Sequence, residues 1–446
     1  MIETYREAVK FLEKYIPTPK RKHPGELGLR RMQHLAELLG NPQNGFKSVH
    51  VGGTSGKGST ATIIASLLAT KYKTGLHTSP HLERMTERIQ ISRIKNIFRE
   101  LSDKEFINLV NETEPAVKNM EKSRWGSPSY FEIVTAMAFL YFKKQKVDFA
   151  VIEVGMGGNF DATNVILPEV AILTNVGLDH TEVLGETVEE IARDKAGIIK
   201  RGLVVVTGVK QLTVKKIIKA RSEEREVISD FLGKDFKYKI KKITDKGSYF
   251  DYFGKKNYRN LYISLLGAHQ VENAALAIRA VEQLSEFRSQ ISEKNLRLGL
   301  KNAFIPGRME VVRKKPLVIL DGAHNPDKMK ALVSGIKTIW PGRKVVLLLA
   351  IKEGKDAAGI VREILPICRK IYLTKYELYI DQGKIRSFET NKLRKIIRDF
   401  GFRGEINILK NTKKAITELL KSIHEEDIIL FSGSLYFIGG VRNQFL

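Results

Sequence analysis

The chain has 446 residues, 43% of them hydrophobic, enough to bury a sizeable core and to form two domains rather than one. Its 75 Lys and Arg against 50 Asp and Glu leave +25, but the excess is spread along the chain, and no zinc finger, RNP-like motif or aromatic-interleaved basic ribbon accompanies it. That argues against nucleic acid as the main partner and for a basic cleft that attracts polyanionic small substrates. Cys368 is the single cysteine, which excludes an internal disulfide and every multi-cysteine metal motif. The longest fully apolar run, Val345 to Ile351, is far too short to cross a bilayer, and the charged N-terminal stretch has no signal-like core. A cytoplasmic protein is expected.

From residue 48 onward, apolar β-rich runs alternate with helical patterns, which predicts a mostly parallel sheet covered by helices. Strands are expected at 48–53, 148–154, 170–176 and 203–209, with helical spacing at 128–144 and 187–199. Residues 236–266 change character: "KYKIKKI", "SYFDYF" and "LYISLLG", separated by Gly, Lys and Asn clusters, predict a small antiparallel sheet. Helices follow at 269–285 and 292–303. "FIPGR", residues 304–308, then punctuates the chain. Beyond it come "LVILDGA", a helix from Pro326, and the strand runs "KVVLLLAI", "KIYLTKY", "INILK" and "DIILFSGSL". The fold class is α/β, with a first domain over 1–303 and a doubly wound, Rossmann-like second domain over 304–446.

"VGGTSGKGSTATIIASLLAT", residues 51–70, runs from a strand into a helix and departs twice from the phosphate-binding pattern G-x-x-x-x-G-K-[ST]. Val51 holds the first glycine's place, and Gly58 separates Lys57 from Ser59. Glycines 52, 53, 56 and 58 let the backbone curl so that N–H groups face an anion, and the helix beyond adds its positive end. Lys57 would sit on the β and γ phosphates, with Ser59 or Thr60 supplying a hydroxyl. A plain strand-to-helix turn needs no lysine framed by glycines, so the first domain reads as a P-loop ATPase-like domain. Glu153 ends a second hydrophobic strand, where a carboxylate can reach a metal beside the phosphates. His180 follows a third. Alone, an acid at a strand end more often faces water, and a loop histidine is more often a hydrogen-bonding residue than a ligand.

"GTSGKGS" resembles the "GTNGKGS" loop of folylpolyglutamate synthases and dihydrofolate synthases in the Mur ligase superfamily, where a glycine also separates lysine from serine. The similarity extends in order over most of the chain: "LGLRRM", "LGNPQ", "TSPHL", "SYFEIVTAMAF", "EVGMGGNFDATN", "GLDHTEVLG", "IARDKAGII", "HQVENAALAI", "PGRME", "DGAHNP" and "SGSLYFIGGVR". The resemblance implies ATP binding by Gly53, Thr54, Gly56, Lys57, Gly58, Ser59 and Thr60, joined by Asn273, Arg308 and Asp321. It implies Mg²⁺, with Mn²⁺ able to support activity, on Ser79, Glu153, His180 and Lys195. The last is expected to be carboxylated on its side-chain nitrogen. It places the pterin at Ser129, Tyr130, Phe131, Glu132, Phe160, Asp161 and Ala162, and the incoming glutamate near His324 and Ser434. One residue departs: the family has arginine in "GLGGR" where this chain has Asn159.

The implied reaction joins L-glutamate to folate or dihydropteroate. ATP phosphorylates the substrate carboxylate, and the amine of glutamate attacks the acyl phosphate. Lys57, Glu153, His180, Lys195 and Arg308 are the expected catalytic set. Arg308 sits beside the hinge, so that domain closure would bring its guanidinium to the γ-phosphate. Spacing puts Ile191, Lys195 and Ile198 on one helical face turned toward the sheet. A monomer is expected, with neither nucleic acid nor membrane as partner. Two other readings stay open: a Mur-type ligase for a different pterin or an acidic peptide, and a P-loop switch or nucleic-acid motor, against which the absence of the strict loop counts.

Overall fold

The computed structural model describes residues 1–17, 24–93, 97–284, 291–380 and 383–445. The chain packs into two compact units. The first comprises Met1–Lys241, Tyr249–Ile263 and Val271–Phe304, and the second Lys242–Ser248, Ser264–Gln270 and Ile305–Leu446.

An eight-stranded sheet organises the first unit. Its strands are β1 (Lys47–Gly52), β2 (Thr74–His77), β3 (Ile89–Arg93), β4 (Ile97–Glu100), β5 (Phe149–Glu153), β6 (Val170–Leu173), β7 (Val204–Thr207) and β8 (Ile228–Phe231). They lie in the order β4-β3-β2-β5-β1-β6-β7-β8. β2, β5, β1, β6, β7 and β8 run parallel, while β3 and β4 add an antiparallel edge. The central strands "FAVIE" and "VAIL" are buried at every position, as a parallel sheet covered on both faces requires. Helices Lys57–Leu68 and Tyr130–Lys144 are buried along most of their length. The second starts sharply because Ser129 and Glu132 form a reciprocal capping box. Three further strands, β9 (Lys237–Thr244), β10 (Gly247–Phe253) and β11 (Asn257–Ile263), make a separate small antiparallel sheet.

The second unit holds a six-stranded sheet built from β12 (Glu310–Lys314), β13 (Leu317–Leu320), β14 (Val345–Leu349), β15 (Cys368–Thr374), β18 (Ile406–Leu409) and β19 (Ile428–Ser432), with β16 (Glu377–Ile380) and β17 (Gly383–Arg386) as a separate antiparallel pair. The order is β12-β13-β19-β14-β15-β18, parallel except for β12.

The expected α/β class holds, and so does the small antiparallel sheet. Strands β2, β3, β4, β8, β12, β16 and β17 were not expected. Thr74–His77 is four residues long and includes a glycine, too short for a period, and its pairing with β5 makes it a strand. "LYISLLG" leaves the sheet at Ile263, and "DIILFSGSL" at Ser432. The helix expected at 269–285 spans Ala268–Leu284, and residue 285 lies outside the described residues.

Candidate active site

Because β2, β5, β1 and β6 are parallel neighbours, the segments leaving their carboxyl ends share one sheet edge. The loop after β1 is pinned there by the segment after β6. The Thr54 N–H donates to the Asn175 carbonyl at 3.0 Å, and the Ser55 N–H donates to Asn175 Oδ1 at 2.8 Å. Thr54 Oγ1 accepts from the Gly177 N–H at 3.0 Å, and Thr174 Oγ1 donates to the Ser55 carbonyl at 2.7 Å. Two loop amides are thereby directed into the protein, and the loop runs on into the amino end of the helix Lys57–Leu68. Glycine is required at two points. Gly53 has φ 136°, and a Cβ there would lie 2.0 Å from Thr174 Oγ1; Gly56 has φ 80°, and its Cβ would lie 2.7 Å from Asn273 Oδ1. Asn273 therefore stands against the loop, where Thr60 Oγ1 donates to its Oδ1 at 3.4 Å.

The glycine between Lys57 and Ser59 has a structural reason. A Cβ on Gly58 would stand 3.4 Å from both carboxylate oxygens of Glu153. Gly58 therefore lies directly against that buried carboxylate, with no side chain between them. Glu153 Oε2 accepts the Ser79 N–H at 2.9 Å, so Ser79, Gly58 and Glu153 converge. Lys57 Nζ donates to the Gly53 carbonyl at 3.1 Å, and Lys195 Nζ donates to the same oxygen at 3.3 Å. Ile191, Lys195 and Ile198 are all buried, as their spacing predicts. Burial, followed by the neighbouring Lys57 ammonium, pushes the Lys195 amine down to about 7. His180 takes the left-handed conformation at φ 53° and opens the short helix Thr181–Leu184; its Nδ1 is 3.7 Å from Glu182 Oε1. Among the described residues, no three His, Cys, Asp or Glu side chains gather in a way that could hold a metal.

Beyond β5, Gly155 lies in a narrow space: a Cβ there would be 2.4 Å from Phe131 Cζ and 3.1 Å from Asp161 Oδ2. Phe131 is half-buried and stacks on His77 with ring centroids 6.2 Å apart. Phe131 and Asp161 thus meet at the loop that follows Glu153. Tyr130 and Glu132 turn inward instead. Tyr130 lies under the Arg88 guanidinium, and Glu132 pairs with Arg31 through two contacts of 2.9 and 3.0 Å. Ala162 opens a buried 3-10 turn, and Phe160 is half-buried. Asn159 lies over Gly197, where a Cβ would come within 2.7 Å of its Oδ1.

In the second unit, β13 and β19 are parallel neighbours, and the remaining candidates follow their carboxyl ends. Asp321 is buried, and its carboxylate accepts the Met309 and Ala323 N–H groups, both at 2.8 Å. That clamp holds Met309 at φ 45°, in the left-handed region that β-carbon sterics disfavour. Burial raises the Asp321 carboxyl, opposed by the Arg308 guanidinium. A Cβ on Gly322 would be 3.2 Å from Arg308 Nη1, so Arg308 lies over this turn. His324 Nδ1 faces the Gly322 carbonyl at 2.8 Å, and Lys328 Nζ donates to its Nε2 at 3.0 Å. Burial and the cations around it hold His324 neutral. Ser434 begins the last helix, Leu435–Arg442, and its Oγ accepts the Tyr376 hydroxyl at 2.8 Å.

Residues 51–281 match the Mur ligase middle domain, and residues 307–435 match the Mur ligase glutamate ligase domain. A dihydrofolate synthase/folylpolyglutamate synthase of Bacillus subtilis is 34% identical over 94% of both chains. A folylpolyglutamate synthase of Lacticaseibacillus casei is 31% identical over 99% of both. Among solved structures, Mycobacterium tuberculosis folylpolyglutamate synthase complexed with ADP superimposes with a TM-score of 0.88 at 30% identity, covering 99% of this chain and 98% of that one. The chain belongs to the folylpolyglutamate synthase/dihydrofolate synthase family. As a member of that family it is an ATP-dependent ligase of the Mur type. Among the described residues, no helix is long and apolar enough to cross a membrane.

Several residues that shape this ligase's candidate site were not in the expected set. Asn175 and Thr174 hold the loop, Thr163 holds Asp161, and Tyr376 holds Ser434. "LTNVGLDH" carries the first two, but only the register of β6 beside β1 reveals what they touch. Tyr376 lies 58 residues before its partner, with no local signal connecting them.

Proposed function

We propose that this ligase joins L-glutamate to the carboxylate of folate or dihydropteroate, in a cytoplasmic setting and as a monomer, with no nucleic acid partner. The observation that carries the reading is the convergence of Glu153, Ser79 and the glycine-rich loop at Gly58, in a chain that matches both a Mur ligase middle domain and a glutamate ligase domain. The relatives are named for this chemistry, and one superimposed structure is an FPGS–AMPPCP–folate complex with a TM-score of 0.82 at 31% identity.

In this reading the substrate carboxylate attacks the γ-phosphorus of ATP, forming a C–O–P linkage and releasing ADP. The amine of glutamate then attacks the acyl carbon, loses a proton and expels inorganic phosphate, leaving an amide. Lys57 and the helix amino end offset the charge that spreads over the transferred phosphoryl group, and Arg308 is a further cationic candidate for that charge. Gly53, Thr54, Gly56, Gly58, Ser59, Thr60 and Asn273 are the further ATP candidates of the first unit, and Asp321 is that of the second. Phe131 offers a ring face and Asp161 a hydrogen-bond acceptor to the pterin, beside Ser129, Phe160 and Ala162, while Tyr130 and Glu132, turned inward, support that helix end. His324, neutral, and Ser434 receive glutamate.

A divalent cation suits the chemistry of the donors at this edge: the Glu153 carboxylate would supply a hard oxygen, and Ser79, whose N–H already meets it, and His180 would join it. When bound, such an ion neutralises phosphate charge. Lys195 completes the set after its neutral amine adds carbon dioxide, forming an N–C bond and losing a proton to give an anionic carbamate. Its lowered basicity makes the neutral amine plentiful near neutral pH. The test is ADP release across a substrate panel. Turnover is expected only with a reduced folate or dihydropteroate together with L-glutamate, and equal turnover without glutamate overturns the reading.

A further inference from the structure

We infer that His50 is a positioning residue that sets the orientation of the Asp161 carboxylate through Thr163. His50 stands in the middle of β1, in register with Ile152 of β5 on one side and Ala171 of β6 on the other, a fully buried imidazole in an apolar layer. Its Nε2 is 2.8 Å from Thr163 Oγ1. Thr163 is also fully buried, and both its hydroxyl and its N–H, the latter at 3.0 Å, donate to Asp161 Oδ1. Asp161 Oδ2 accepts the Met156 N–H at 2.9 Å, in the loop that follows Glu153.

The proton arrangement in this chain follows from the Thr163 hydroxyl donating to Asp161. Thr163 has one hydroxyl proton, and the carboxylate takes it. The hydroxyl oxygen is therefore the acceptor toward His50, which fixes the imidazole as the Nε2–H tautomer. His50 Nδ1 is then a bare acceptor, buried and with no hydrogen-bond partner. Burial and the nearby Lys200 ammonium keep the ring neutral, so it sends direction and no charge toward Asp161. An aliphatic residue would satisfy the apolar layer better than a ring with a desolvated, unmatched nitrogen. What the imidazole contributes is a donor at a fixed point, and the oxygens of Asp161 are aimed accordingly beside Phe131 and Gly155.

This inference rests on the reading in which Phe131 and Asp161 face the pterin. The experiment measures kcat, KM for ATP and KM for dihydropteroate and tetrahydrofolate by ADP release, in wild type and in H50L, H50Q, T163V, T163S and D161N. H50L and T163V are expected to raise the pterin KM about tenfold, the loss of one well-placed hydrogen bond, and to leave the KM for ATP within about twofold. H50Q, whose amide nitrogen reproduces the donor, and T163S are expected to return the pterin KM to within about threefold of wild type. A purely structural role would instead lower kcat through loss of folded enzyme and spare the pterin KM. If D161N raises the pterin KM while H50L and T163V do not, the relay is overturned and the pterin reading stands. If D161N leaves it unchanged, both fall. Should H50L not fold, T163V decides alone, and an unchanged pterin KM overturns the inference.

Discussion

Lys57 and Lys195 donate to one and the same oxygen, the carbonyl of Gly53, at 3.1 and 3.3 Å. Burial, and then the repulsion of the Lys57 ammonium that shares this acceptor, brings Lys195 down to about 7 while it stays within reach of the glycine-rich loop.

Lys195→Ala is therefore expected to lower the rate of ADP release about a hundredfold or more, the scale on which single electrostatic groups in such sites act. Acetate or propionate should restore part of it by supplying the missing carboxylate. Full activity of the variant without added acid would remove Lys195 from the reaction. Lys195→Arg, which cannot form the carbamate, should resemble the alanine variant.

Substitution of Gly58 and Gly53 should separate chemistry from folding. Gly58→Ala adds a methyl at ordinary contact distance, 3.4 Å from both Glu153 oxygens, so the protein should fold with little change in Tm yet lose activity and divalent-cation dependence. Gly53→Ala meets Thr174 Oγ1 at 2.0 Å with φ at 136°, and is expected to destabilise the first unit by about 2 kcal/mol or more. Equal loss of stability in both variants would contradict the assignment of Gly58.

Acid should destabilise the first unit through His77. Its imidazole is fully buried, with Nδ1 at the Arg88 carbonyl, and burial followed by the Arg88 charge lowers it to about 4. The unfolded chain takes up the proton near pH 6.5 while the folded one refuses it, so stability is complete above 6.5 and is lost as pH falls toward 4. Over that window the loss is about 3 kcal/mol. His50, also held neutral, acts in the same direction. Urea titrations at pH 7 and pH 4.5 should show the difference, and His77→Gln should reduce it.

In the second unit, Asp321→Asn places an NH₂ group against one of two inward-pointing N–H groups. A cost of about 1–3 kcal/mol is expected, read as a lower urea midpoint.

How far the sequence revealed this molecule follows from the kind of interaction involved. β5, β6 and β7 announced themselves because strands buried on both faces become unbroken runs such as "AVIEV" and "VAIL". Thr74–His77 gave no such signal, since its identity as a strand comes from its neighbours. The long helix Asp103–Glu121 was hidden by the mid-helix Pro115 and a largely polar surface. Lys195 could be assigned to an inward face by helical spacing alone, but its meeting with Gly53, 142 residues earlier, could not. The same holds for Gly58, whose absent side chain makes sense only once Glu153 is beside it.

The acyl-phosphate step can be read from a single isotope measurement. With both carboxylate oxygens of the folate or dihydropteroate substrate labelled with ¹⁸O, and with ATP and L-glutamate supplied, the reaction proposed here delivers one of those two oxygens to inorganic phosphate in every turnover, the other remaining in the new amide. Mass spectrometry of the released phosphate should show one ¹⁸O per molecule of ADP formed. Phosphate free of label, with product formed at the same rate, would contradict phosphorylation of the substrate carboxylate.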